Sequence, residues 1–137
     1  MITVVRGLLI VSLIAVAGCR MGAIYNANGV AYTRTATSQQ QLSLDEYKNA
    51  IIRAGLRRNW QFEEVGPGHL LGKVNVRNKH FATVDVTFDT EAFSINYKSS
   101  QNLNYDANSN SIHPNYNKWI QNLQNDIQQE VARAKAS

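Results

Sequence analysis

Residues 80–88 read HFATVDVTF, and apolar side chains occupy every second position from Ala82 to Phe88. Thr83, Asp85 and Thr87 fill the positions between them. Because successive side chains of a strand point to opposite faces, this alternation predicts a strand with one buried face and one solvated face.

Three neighbouring segments alternate in the same way, at residues 59–65, 70–78 and 92–98. The connectors between the four segments are Gly66-Pro67-Gly68, Asn78-Lys79 and Asp89-Thr90-Glu91. Loops this short join adjacent antiparallel strands, so we expect a four-stranded antiparallel meander.

A helix is predicted immediately before the meander. Ser43-Leu44-Asp45-Glu46 has the spacing of a capping box, and apolar residues follow at helical intervals, with Gly55 as a left-handed stop. Three arginines gather at the end of this helix. They favour either a basic binding site or complementation of the negative end of the helix dipole; they are Arg53, Arg57 and Arg58.

A second, longer helix is predicted from about Pro114, since proline suits a first helical position and apolar residues recur from Tyr116 to Ala134. Both helices have an apolar face, and only one face of the predicted sheet is apolar. We therefore expect an α+β fold, a two-layer sandwich of order α-β-β-β-β-α with two helices on one face of the sheet.

The first residues are typical of an export signal. Arg6 precedes a short apolar stretch at residues 8–16, which is too short for a membrane-spanning helix of about 20 residues. Val16-Ala17-Gly18-Cys19 resembles the lipobox of bacterial lipoproteins, in which the cysteine thiol receives a diacylglycerol. We predict that residues 1–18 are a lipoprotein signal peptide and that Cys19, the single cysteine, is lipidated.

The rest of the chain divides into two predicted parts, a lipidated cysteine with a flexible tether at residues 19–41 and a globular α+β domain at residues 42–137. Removing residues 1–18 takes away Arg6 alone among the charged residues, so 14 basic residues become 13 against 10 acidic ones, a net charge of +3. This charge is too small and too dispersed to indicate nucleic-acid binding. Fifteen Asn and nine Gln residues make the surface rich in amides.

The last third of the chain carries two motifs. Residues 97–103 read YKSSQNL, and residues 112–123 read IHPNYNKWIQNL. They resemble a family of small, uncharacterised lipoproteins of Gram-negative bacteria that share an S-x-N-L-x-Y pattern followed by I-H-x-x-Y-N-x-W-I-x-N-L. The resemblance implies an envelope location and domain boundaries, but no mechanism. In the sorting of enteric lipoproteins, aspartate directly after the lipidated cysteine retains the protein in the inner membrane. The resemblance to lipoproteins, with Arg20 at that position, therefore implies the outer membrane, facing the periplasm.

One polar and aromatic cluster is the candidate recognition site, where rings would stack on a ligand and amides would orient it. The alternative interpretation is that its polar members hold a long loop and its rings fill the core. Its members are Arg77, His80, Tyr97, Ser100, Asn102, Tyr105, His113, Tyr116 and Asn117.

No catalytic motif stands out in the sequence. His69, His80 and His113 lack the spacing of metal ligands, and Ser99-Ser100 lacks the glycines of a nucleophile elbow, so we expect no metal, no cofactor and no enzyme activity. We expect a membrane-anchored envelope lipoprotein that presents a non-catalytic domain for contact with an envelope protein or peptidoglycan. The alternative is a hydrolase or transferase that acts on envelope polymer through His80 or His113.

Overall fold

The computed structural model describes residues 21–34 and 41–137, and these residues form an α+β fold with a five-stranded antiparallel sheet and two helices. Two further short strands form a separate ribbon. The elements, in chain order, are β1 (Gly22–Ala23), β2 (Ala27–Ala31), α1 (Leu44–Leu56), β3 (Trp60–Gly66), β4 (His69–Val76), β5 (His80–Phe88), β6 (Ala92–Gln101), β7 (Ser111–Ile112) and α2 (Pro114–Ala136).

The predicted meander is present. Strands β3, β4, β5 and β6 pair antiparallel in sequence order, and Val84 of the central strand lies between Gly72 of β4 and Tyr97 of β6. Leu70, Val84 and Ile95 are buried on one face, as the alternation indicates. The last strand of the meander, β6, is longer than predicted and continues to Gln101 after a bulge in its pairing with β5.

The two helices cover the buried face of this sheet. The capping box of α1 is present: the Ser43 hydroxyl accepts the Glu46 N–H at 3.2 Å, and the Ser43 N–H donates to the Glu46 carboxylate at 2.7 Å. The helices contact each other, and α1 also contacts β3. Ile51 of α1 and Ile120 of α2 are fully buried in the same core as the sheet residues.

Gly55 does not end the helix in a left-handed conformation, because α1 continues to Leu56 and the left-handed residue is Asn59, at φ 64°. The glycine is needed for close packing instead. A Cβ atom at position 55 would overlap the Phe62 ring of β3. The absence of a side chain therefore lets α1 lie directly on the edge of the sheet.

The tether predicted for residues 19–41 is wrong where the structure describes the chain. Strand β2 pairs antiparallel with β6 and becomes the fifth strand, in the sheet order β2-β6-β5-β4-β3. Ala27 and Tyr32 are 1% and 5% exposed. The domain thus includes residues 22–33, well before the predicted boundary at 42. The predicted signal peptide, Cys19 and Arg20 lie outside the described residues.

Candidate functional site

The loop that joins β6 to α2 closes on itself. Asp106 and Ser111 form an antiparallel bridge, and the His113 N–H donates to the Leu103 carbonyl at 2.9 Å. Leu103 and Ile112 are fully buried and hold the two ends of the loop in the core. Most of the candidate recognition residues lie around this loop, where β6 ends and α2 begins.

His80 and Asn102 connect the β4–β5 turn to this loop. The His80 Nδ1–H donates to the Asn102 carbonyl at 2.9 Å, and the Asn102 side chain donates to the Lys79 carbonyl at 2.6 Å. Asn102 has a positive φ of 60°, which asparagine tolerates better than most residues. Both side chains are therefore engaged with the backbone.

His113 caps α2. Its Nδ1 accepts the Asn115 N–H at 3.2 Å. His113 directly precedes Pro114, which occupies the first helical position. The rings of His113 and His80 lie 6.5 Å apart. In the described part of the chain, neither imidazole contacts a carboxylate.

Three tyrosines and a serine form the aromatic side of the cluster. The Tyr97 hydroxyl and Ser100 Oγ are 2.8 Å apart, and the Tyr105 ring lies 4.3 Å from the Tyr97 ring. Tyr105 is 40% exposed, whereas Tyr116 is fully buried edge-on to Tyr97. Burial raises the pKa of Tyr116 well above its usual range, and the charge of Tyr97 adds to that rise. Among the described residues, the Tyr116 hydroxyl has no hydrogen-bond partner.

Asn117 faces the N-terminal segment instead of the other cluster members. Its Oδ1 accepts the Tyr25 N–H and its Nδ2 donates to the Ala23 carbonyl, both at 2.8 Å. Arg77 lies exposed in the β4–β5 turn at φ 56°, outside these contacts. The structure thus brings seven of the nine predicted residues around the loop, and half of their polar side-chain atoms already bond within the domain.

The arginines at the end of α1 pair with buried acids of α2, an arrangement that the sequence interpretation missed. Asp126 and Glu130 are 6% and 5% exposed, and Arg58 Nε lies 2.6 Å from Asp126 Oδ2. Arg57 and Arg53 contact Glu130, as does Arg133 of α2 itself. The hydrogen bond to Asp126 raises the pKa of Arg58. The sequence signal for this pairing was the presence of two acidic residues, Asp126 and Glu130, four positions apart on the apolar face of the second helix.

The outer face of the sheet carries a charged group that the sequence interpretation also missed. His69 Nε2 lies 2.7 Å from Asp85 Oδ1, and Lys98 Nζ lies 3.8 Å from Asp85 Oδ2. All three side chains are partly exposed. They come from three neighbouring strands, so no sequence spacing could have indicated the group.

A shallow groove of about 480 Å³ lies beside this group on the outer face. The pairing of β3, β4 and β5 places Gln61, Lys73 and Thr83 in one row, and Phe81 pairs with Gln101 in the next. Within the described chain, the side chains of Gln61, Lys73 and Gln101 have no hydrogen-bond partner. The groove therefore offers two amides, an ammonium and an aromatic ring to solvent.

Across residues 21–34 and 41–137, no three His, Cys, Asp or Glu side chains gather as metal ligands do. In the same residues, neither helix is long and apolar enough to cross a membrane. Comparison of the chain with protein-family models, curated proteins and solved structures finds no match, and its resemblance to small envelope lipoproteins stays a prediction.

Proposed function

We propose that this chain is a lipid-anchored protein of the bacterial cell envelope, facing the periplasm, whose domain makes non-covalent contact with an envelope protein or with peptidoglycan. The apolar stretch at residues 8–16 followed by Val16-Ala17-Gly18-Cys19 supports the anchor. The outer-face groove supports the contact.

The groove is the observation that carries the proposal. Its volume of about 480 Å³ lies in the range of small-molecule and cofactor sites, roughly 300–1,000 Å³. Amides at Gln61 and Gln101 can donate to and accept from a glycan or a peptide, Phe81 offers a ring face for stacking, and Lys73 offers a charge for a carboxylate. By contrast, His80 Nδ1, Asn102 Nδ2 and both amide atoms of Asn117 already bond within the fold.

The anchor is tested by mass spectrometry of the protein recovered from cell membranes. The expected result is a chain that begins at Cys19 and carries acyl groups, whereas Cys19→Ser should yield an unacylated and uncleaved chain. An unmodified wild-type chain that still carries residues 1–18 would overturn the anchor.

The contact is tested by placing a photo-reactive residue at Gln61, inside the groove, and in a matched variant at Gln121, which is exposed on α2. Irradiation of living cells should give an adduct with an envelope protein or with a muropeptide only from position 61. An adduct of equal yield from both positions, or from neither, would argue against the groove as the contact site.

A further inference from the structure

The domain begins very close to the predicted lipid anchor. Gly22 pairs with Ile112 in the β1–β7 ribbon, and Gly22 lies only three positions after Cys19 in the sequence. Three residues of extended chain span at most about 11 Å. This argument rests on the proposed lipidation of Cys19, and it implies that the β1–β7 end of the domain is held at the membrane surface.

The structure joins this end into one surface. Asn117 of α2 bonds to the Ala23 carbonyl, so the first turn of α2 lies beside β1. The Asn102 side chain bonds to the Lys79 carbonyl, which ties the β4–β5 turn to the loop that precedes β7. We call the turn 77–79, the loop 102–112 and residues 113–118 together the anchor end.

The anchor end is basic. Arg77, Lys79 and Lys118 are all exposed there, and none of these side chains forms an ion pair in the described residues. Asp106 is the only acidic residue in the three stretches, and its carboxylate accepts the Asn108 N–H. Tyr105, the most exposed aromatic ring, projects from the same loop.

The opposite end has no such basic excess, because three basic side chains there, Arg34, Lys48 and Lys135, lie among four acidic ones. The nine residues of β5 carry the chain roughly 30 Å from the turn 77–79 to the turn at Asp89. Four exposed acidic residues lie around that turn and the start of α1. The turn and the helix are close together because the Tyr32 ring stacks on Tyr47 of α1 and its hydroxyl donates to the Asp89 carbonyl. Two backbone N–H donors keep the pKa of Asp89 below its usual value. The acidic residues are Asp45, Glu46, Asp89 and Glu91.

We infer that the anchor end docks on the anionic lipid surface into which the acyl chains insert. Arg77, Lys79 and Lys118 face the lipid phosphates, and the Tyr105 ring lies at the level of the headgroups, where tyrosine is enriched. The opposite end points away from the membrane. The outer-face groove begins beside the anchor end, because Phe81 and Gln101, which line it, adjoin the turn 77–79 and the loop 102–112. Three cations near an anionic surface each contribute about 1 kcal/mol to such docking.

Amine footprinting of lysines tests the orientation. The protein is expressed from the full sequence, recovered from cell membranes, and added to preformed vesicles of phosphatidylcholine alone or with phosphatidylglycerol. An amine-reactive reagent that cannot cross membranes then modifies the lysines that docking leaves accessible. Mass spectrometry gives the labelling rate of each lysine. Lys48 and Lys135 are internal controls, since Lys135 lies about 26 Å along α2 from Lys118, well beyond the Debye length of about 8–10 Å.

On the anionic vesicles, Lys79 and Lys118 should label at least about fivefold more slowly than on neutral ones, since fivefold corresponds to the contribution of a single cation, about 1 kcal/mol, and three cations dock together. Lys48 and Lys135 should label equally on both. If the chain is acylated and each of the four lysines labels at the same rate on both kinds of vesicle, the proposed orientation is overturned but the anchor is not. Protection of Lys48 and Lys135 instead of Lys79 and Lys118 would also overturn the orientation. Protection that requires added peptidoglycan fragments would overturn lipid docking. An unacylated chain would overturn the proposed anchor as well.

Discussion

The meander and the N-terminal segment belong to one sheet, but different forces hold them. In the meander, apolar side chains at every second position bury themselves under the helices, and short turns fix the register. In residues 22–33, amide side chains of α2 form hydrogen bonds with the backbone. Asn117 bonds to both Ala23 and Tyr25, and Gln128 bonds to the backbone of Ala31 and Thr33.

The difference shows where the information for each region lies in the sequence. A segment of alternating residues carries its own strand signal, because burial depends on its own side chains. The N-terminal segment has no such pattern. The groups that order it come from distant parts of the chain: β6, with which it pairs, and amides of α2 that lie more than ninety positions away. Part of the amide richness of the chain is thus structural. The comparison predicts that substitutions in the core of the meander unfold the whole domain. Substitutions that remove the amide hydrogen bonds of α2 should release only residues 22–33.

Trp60→Ala should have the largest effect. Trp60 is 1% exposed at the start of the meander, and truncation of a buried aromatic residue costs about 3–5 kcal/mol of unfolding free energy. Urea denaturation measures the loss. Trp119→Ala is the matched control: the other tryptophan is only partly buried, beside Arg57 and Val76, and should cost clearly less. Equal losses would show that the core does not centre on the meander.

Asn117→Ala should have an intermediate and local effect. Two hydrogen bonds to the N-terminal segment are lost, at a cost of about 1–3 kcal/mol. Hydrogen exchange should accelerate at β1, β2 and β7 while β4 and β5 keep their protection. Asn125→Ala, an exposed position on the same helix, should change neither region. Uniform loss of protection across both regions would mean that the segment and the meander unfold as one unit.

The fold was predictable where local pattern decides it. The capping box at Ser43 and the four meander strands follow from spacing alone, and the structure has both. The fifth strand and the pairing of Arg58 with Asp126 depend on groups brought together by tertiary structure, which no spacing reveals.

The candidate site divides in the same way. The loop residues around His113 were predicted to lie together, and they do, because β6, the loop and the helix are consecutive in the chain. The groove was not predicted, because Gln61, Lys73, Phe81 and Gln101 come from four different strands.

Tyr116→Phe should have the smallest effect and the opposite sign. Tyr116 packs against Tyr97 of the meander, while its neighbour Asn117 holds the N-terminal segment, so adjacent substitutions report on the two regions separately. The buried Tyr116 hydroxyl has no partner in the described residues. Removing it should raise the unfolding free energy at neutral pH by about 1 kcal/mol, since an unsatisfied buried group carries a desolvation cost.

The pH dependence of stability gives this prediction a second measurement. Burial raises the pKa of Tyr116 above its ordinary value of 10.0, so the unfolded chain ionises first. The wild-type domain is therefore fully stable below pH 10 with respect to this group, and loses stability as the pH rises beyond 10. Tyr116→Phe should flatten that decline by up to about 1.4 kcal/mol per pH unit. Tyr32 and Tyr47, whose pKa values are also raised by burial, should maintain the remaining slope. An unchanged slope in the variant would mean that the Tyr116 hydroxyl reaches solvent, and that the end of the meander is open where α2 begins.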